Sequence, residues 1–164
     1  MNITIRHAEP LDFEAIRDIM AQPRVFAGTL QLPLPSADKW KRRFAEWQPG
    51  DHILVAEVEG KVVGNLGLHP SGKAARRKHV YTLGLVVHDD HQGNGVGKAL
   101  LAAAIDLADN WLQVKRLELT VYTNNAAALA LYGKSGFEIE GTHKAFAFRN
   151  GSYVDAYTMA RVRT

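Results

Sequence analysis

Apolar positions along the chain follow two periods that alternate in blocks. Ile3 and Ile5 stand two apart between polar residues, which predicts a half-buried strand. From about Pro10 the spacing lengthens, and Phe13, Ile16 and Met20 share one helical face. Ser36 is suited to cap a second helix, on which Trp40, Phe44 and Trp47 follow at i, i+4 and i+7. Residues 26–35 between these helices form a proline-rich, partly apolar loop. The short period returns at residues 52–58 and 62–68, and Glu59-Gly60-Lys61 between them reads as a hairpin turn.

Residues 79–88 are apolar enough for a central strand, but Gly84 interrupts them, which marks a bulge or a close approach of backbone. A glycine-rich turn then leads into a long helix with Leu100, Ala104, Leu107 and Trp111 on its expected buried stripe. Residues 117–122 read as a strand and 125–134 as a short helix. Gly136 ends that helix, with Phe137 folding back onto the core. Residues 137–142 and 153–162 complete the sheet. The expectation is an α/β chain of the α+β type: one domain over residues 1–164, with a mixed, mostly antiparallel sheet of six to seven strands and helices on both faces.

Composition narrows the chemistry. With 46% hydrophobic residues the chain can fill a core unaided, and the absence of cysteine removes disulfides, thiolate nucleophiles and zinc–sulfur sites. The N-terminus has no signal-peptide pattern and no stretch approaches membrane-spanning length, so a cytoplasmic protein without a membrane partner is expected. A net charge of +3 without a basic, aromatic-interleaved stripe argues against nucleic acid. The cluster Lys73, Arg76, Arg77 and Lys78 is read as a solvated loop, with a phosphate or acidic-partner contact as the alternative. His88 and His91 lie three apart with no third ligand, so no metal is expected. A homodimer remains among the allowed assemblies.

The strongest chemical signal is Gln92-Gly93-Asn94-Gly95-Val96-Gly97-Lys98, set between an apolar strand and a helix. Glycines let successive N–H groups converge, and the helix adds its positive end, which together make a pyrophosphate cradle. The dinucleotide pattern G-x-G-x-x-G fails at Lys98 from Gly93 and at Leu100 from Gly95. A P-loop fails at Gln92 and Ala99. The remaining pattern, Gln92-x-x-Gly95-x-Gly97, resembles the acetyl-CoA motif of the GNAT family of N-acetyltransferases. Asn125-x-x-Ala128-x-x-x-Tyr132 followed by Gly136-Phe137 is similar to its second signature. The likeness runs over residues 3–162.

The resemblance implies a sheet splayed between two central strands, with acetyl-CoA held by the backbone of Leu85, Val86 and Val87, by residues 92–98 and by Asn125. It implies a backbone N–H of residues 85–87 facing the oxyanion of acyl transfer, and Tyr132 as the acid that meets the leaving thiolate. A phenol with a pKa of about 10 is protonated at neutral pH. The plainer alternatives are a core tyrosine at 132 and a helix cap at 125. No base is assigned: residues 79–88 contain no acid, which leaves Glu118, His79 or water. Residues 141–155 resemble a bacterial branch that acetylates small amines, and residues 29–33 and 109–112 resemble its L-amino-acid N-acyltransferases. They imply a small-molecule amine as substrate, with Phe26, Leu30, Gln31, Leu32 and Phe146 near the acceptor; ordinary core packing is the alternative for the four apolar ones. A peptide acetyltransferase and a non-catalytic acyl-CoA sensor are the competing readings.

Overall fold

The computed structural model describes residues 1–164. Seven strands form one sheet in the order β1-β2-β3-β4-β5-β7-β6. They are β1 (Ile3–His7), β2 (His52–Val58), β3 (Lys61–Pro70), β4 (Val80–Val87), β5 (Arg116–Tyr122), β6 (Glu138–Arg149) and β7 (Ser152–Val162). Five helices interleave with them: α1 (Phe13–Met20), α2 (Pro23–Ala27), α3 (Ala37–Ala45), α4 (Val96–Asn110) and α5 (Ala126–Lys134). Every strand pair is antiparallel except β4–β5. The expected mixed, mostly antiparallel sheet is observed.

The period-2 alternation of the strands sorts side chains onto two faces. Leu54, Leu66, Leu68, Leu83, Leu117 and Leu119 join Val96, Leu100, Leu101 and Ala104 of α4 in the larger core. Val55 on the opposite face packs with Ile16, Ile19, Met20 and Val25, flanked by Trp40 and Phe44 of α3. Gly64 permits the close approach of α4, since a Cβ there would lie 3.1 Å from both Leu100 and Val96.

The helix ends follow from local chemistry. The Ser36 hydroxyl accepts the Lys39 N–H, and the Asn125 side chain accepts the Ala128 N–H. At the end of α5, Phe137 N–H donates to Tyr132 O and Gly136 N–H to Gly133 O, with Gly136 at φ 92°. These paired bonds are the Schellman arrangement, and they drive Phe137 into the core.

Four expectations need correction. Trp111 lies beyond the end of α4 and is 74% exposed, because Trp111 N–H and Leu112 N–H both turn back onto Leu107 O. Leu100 and Ala104 are buried as expected, with Leu101 and Ala108 beside them. Part of the region after α1 is helical, since Pro23 at the first position of α2 has its φ preset and no N–H to satisfy. Gly84 makes no bulge: the β3–β4 register is continuous from Gly64–Val87 to Pro70–Tyr81. Strand β6 extends to Arg149, with a register shift between His143 and Ala147 after which pairing with β7 resumes.

Candidate active site

β4 and β5 share three register pairs, Val80–Arg116, Tyr81–Leu117 and Thr82–Glu118, and then part. His88 N–H donates to Val63 O and Val80 O accepts from Ser71 N–H, so even-numbered residues of β4 face β3. Leu85 and Val87 therefore direct their backbone groups into the gap. Gln92 Nε2 donates to Val87 O at 3.1 Å, whereas the Leu85 N–H has no strand opposite it. An amide held rigidly in a central strand yet left without a partner is a donor positioned for an incoming oxygen.

The gap opens into a cavity of about 690 Å³ that passes through the sheet. From the α4 side it is lined by Leu83, Leu85, Val121, Asn125, Ala128 and Tyr132, and from the α1 side by Asn65, Gly67, His69, Thr82, Gly84 and Val86. Gly84 has no atom within 4 Å of where a Cβ would stand, so its missing side chain keeps this floor open. The buried Asn65 Oδ1 has no hydrogen-bond partner in the protein. Such an acceptor calls for a donor from a bound molecule.

Residues 93–98 form a cradle beside this cavity rather than within its lining. Gly93 and Gly95 take φ values of 77° and 86°, in the left-handed region that favours glycine. The first helical bond of α4 runs from Ala99 N–H to Gly95 O, which leaves the amides of Val96, Gly97 and Lys98 outside the helix ladder. No atom lies within 4 Å of the Cβ positions of Gly93 and Gly95. Free amides, the helix dipole and an open front suit a pyrophosphate. Asn94 and Lys98 are exposed at its rim. Gln92 braces the end of β4 through Val87 O, and the fully buried Val96 offers the cradle only its amide.

Tyr132 is 7% exposed, sits edge-on to Phe137 at 5.6 Å, and its hydroxyl bonds to no protein group. Burial pushes its phenol up to about 12, so it is a proton donor at neutral pH. Asn125 caps α5 through Oδ1 and also lines the cavity.

The outer end of the cavity is bordered by residues 28–31 together with Trp40, Arg43, Phe44 and Trp47 in and after α3. Tyr122 Oη donates to Thr29 O at 2.9 Å, Arg149 Nη1 donates to Ala27 O at 3.0 Å, and the Arg149 guanidinium stacks over the Tyr122 ring. The loop is thus pinned from β5 and β6. Leu30, Gln31 and Phe146 line the cavity; Phe26 and Leu32 do not. The β6 irregularity supplies Phe146, since a bulge re-aims a side chain that regular pairing would place elsewhere. Tyr122, Arg43, Asp51 and His69 escaped the sequence reading because none belongs to a contiguous motif, and Arg149, within residues 141–155, is given no role there.

Two candidate bases are placed elsewhere. Burial alone would raise the Glu118 carboxyl, but hydrogen bonds from Arg116 at 2.8 Å and Arg77 at 3.2 Å outweigh it and hold it below the usual range. Glu118 is an ion-pair residue, and this pairing also takes Arg77 out of the basic cluster. His79 is exposed and outside the cavity lining.

The sequence profile of the Acetyltransferase (GNAT) family matches residues 14–137. The chain is 51% identical over 161 residues to the L-amino acid N-acetyltransferase AaaT of Escherichia coli, covering 98% of each protein. It is 35% identical over 160 residues to the N-alpha-acetyltransferase RimI of Mycobacterium tuberculosis, covering 97% of this chain and 92% of that one. The fold superimposes with a TM-score of 0.88 on a phosphinothricin acetyltransferase of Sinorhizobium meliloti solved in complex with AcCoA, at 24% identity and over 99% and 89% of the two chains. The parted central strands and the glycine cradle are therefore those of an acetyltransferase, and the chain belongs to the GNAT family.

Proposed function

We propose that this enzyme transfers the acetyl group of acetyl-CoA to the α-amine of a free L-amino acid with an apolar side chain. The observation that carries this reading is the outer end of the cavity, where the Arg43 guanidinium, which forms no ion pair, stands among aromatic rings. Arg43 lies over Trp40 at 4.6 Å and reaches Gln31 at 3.4 Å. A guanidinium so placed suits an α-carboxylate, and Phe44, Trp47, Leu30 and Phe146 suit an apolar side chain. The 51% identity to an L-amino acid N-acetyltransferase points the same way.

Acetyl-CoA supplies a thioester, whose carbonyl carbon accepts the amine. In this reading the amides of residues 93–98 bind its pyrophosphate, Asn125 and the walls of the gap bind its pantetheine arm, and the Leu85 N–H stabilises the oxyanion. Tyr132 gives its proton to the departing sulfur. With no cysteine in the chain, the acetyl group forms no thioester on the enzyme.

The 35% identity to an N-alpha-acetyltransferase supports a second reading, acetylation of a peptide N-terminus. One panel decides between them. Thiol release from acetyl-CoA is measured with free amino acids, polyamines, aminoglycosides and N-terminal peptides. Phenylalanine and methionine are expected to lead. Turnover of peptides or polyamines with free amino acids inert reverses the assignment.

A further inference from the structure

We propose that His69, oriented by Asp51, is the general base that removes a proton from the acceptor's ammonium group; this rests on the reading of the cavity as an acetyl-transfer site. His69 Nδ1 stands 2.9 Å from Asp51 Oδ1. The second carboxylate oxygen, Oδ2, accepts the Gln48 N–H at 3.0 Å, so Asp51 is held by backbone. A carboxylate only accepts, which obliges Nδ1 to carry the imidazole hydrogen and leaves Nε2 as the lone-pair nitrogen.

The direction of Nε2 is set by glycine. Gly67 and His69 are two apart on β3 and both line the cavity. A Cβ at Gly67 would stand 2.5 Å from His69 Nε2, so the ring lies along the strand over residue 67. Gly67 is paired with Gly84, whose Cβ position meets open space, and Leu85 follows. The basic nitrogen therefore faces a side-chain-free patch of floor across β3 and β4, in the same cavity that Leu85 lines. An imidazole fixed by a carboxylate beside an oxyanion donor is the arrangement that acyl transfer uses on unrelated folds.

The proton balance is complete. The ammonium gives one proton to Nε2, and the neutral amine attacks the thioester carbon to form the C–N bond. As the C–S bond breaks, Tyr132 protonates sulfur, and the second proton lost by nitrogen restores the phenol through solvent. His69, with a side chain 43% exposed, returns its proton to water.

The test compares wild type, His69→Gln, Asp51→Asn and Gly67→Ala on phenylalanine and on phenylalaninamide at pH 8.5. On phenylalanine, kcat of His69→Gln is expected to fall about 10²-fold, the contribution typical of a positioned base. On the amide the deficit shrinks below about tenfold, because a peptide-like α-amine with a pKa of roughly 7.7–8.0 is already mostly neutral. Asp51→Asn and Gly67→Ala, acting on the orientation of the ring, follow the same split to a smaller extent. Acetyl-CoA affinity by calorimetry and the melting temperature stay at wild-type values in His69→Gln. An equal loss on both acceptors, or unchanged turnover of phenylalanine by His69→Gln, overturns the assignment. A wild type that acetylates no primary amine overturns the underlying reading and this inference with it.

Discussion

Valine in place of Gly95 is expected to weaken acetyl-CoA binding by about 10²- to 10⁴-fold while the protein stays folded. Two effects act at once. Residue 95 has φ 86°, so a β-branched side chain costs roughly 1–2 kcal/mol of backbone strain. The chain can relieve that strain by rotating the peptide, which takes the neighbouring N–H groups out of convergence. No atom opposes the new Cβ within 4 Å, so it projects into the space in front of the cradle instead of into the core. Losing two charge-assisted bonds to phosphate, each worth about 1.5–3 kcal/mol, gives a loss of the stated order. Gly60 provides the control. It has φ 76°, equally open surroundings and a place in the β2–β3 turn. Gly60→Val therefore carries comparable strain but should bind acetyl-CoA as wild type does. Calorimetric titration of both variants, with circular dichroism to verify folding, separates strain from site. Wild-type affinity in a folded Gly95→Val removes the cradle from the site.

Tyr132→Phe is expected to lower kcat by up to the factor of about 10² to 10⁴ that general acids contribute, with CoA's thiolate, a fair leaving group, favouring the lower end. The KM for acetyl-CoA should move little, as befits an interaction made only in the transition state. Stability should hold. The hydroxyl faces the cavity and has no protein partner, so the native state gives up no hydrogen bond. Burial raises the phenol to about 12, so its proton is retained throughout pH 7–10 and Tyr132 contributes no alkaline decline in rate there. A core tyrosine predicts the opposite pair of results: reduced melting temperature with turnover preserved. Measuring both on one variant decides the matter, and full activity excludes Tyr132 from the mechanism.

The legible parts of this molecule are those where function or turn geometry writes itself into neighbouring residues. The glycine run before α4, the Asn125 cap and the Gly136-Phe137 reversal each combine a backbone demand with a residue type that meets it. Trp111 shows the limit of periodicity, since the helical stripe continues on paper past Asn110, where α4 has already ended. The outer half of β6 was illegible because the register shift between His143 and Ala147 interrupts the alternation that a regular strand would show. Gly84 was read through the commonest reason for a strand glycine. Its actual effect is to leave a floor bare, which only the parted neighbour reveals. Asp51 and His69 are 18 positions apart and meet only because β2 and β3 form a hairpin. No local pattern records such a pair.

The parting of β4 from β5 also bears on hydrogen exchange. A central strand ordinarily contains the most protected amides of a sheet, with slow deuteration along both of its edges. Here the two edges differ within one strand: the even-numbered amides are locked to β3, whereas the Leu85 amide is bordered by a gap. Leu85 is expected to take up deuterium far faster than Val86 beside it, and to slow once acetyl-CoA fills the cleft. The middle of this sheet therefore behaves, on one side and for a few residues, like its rim.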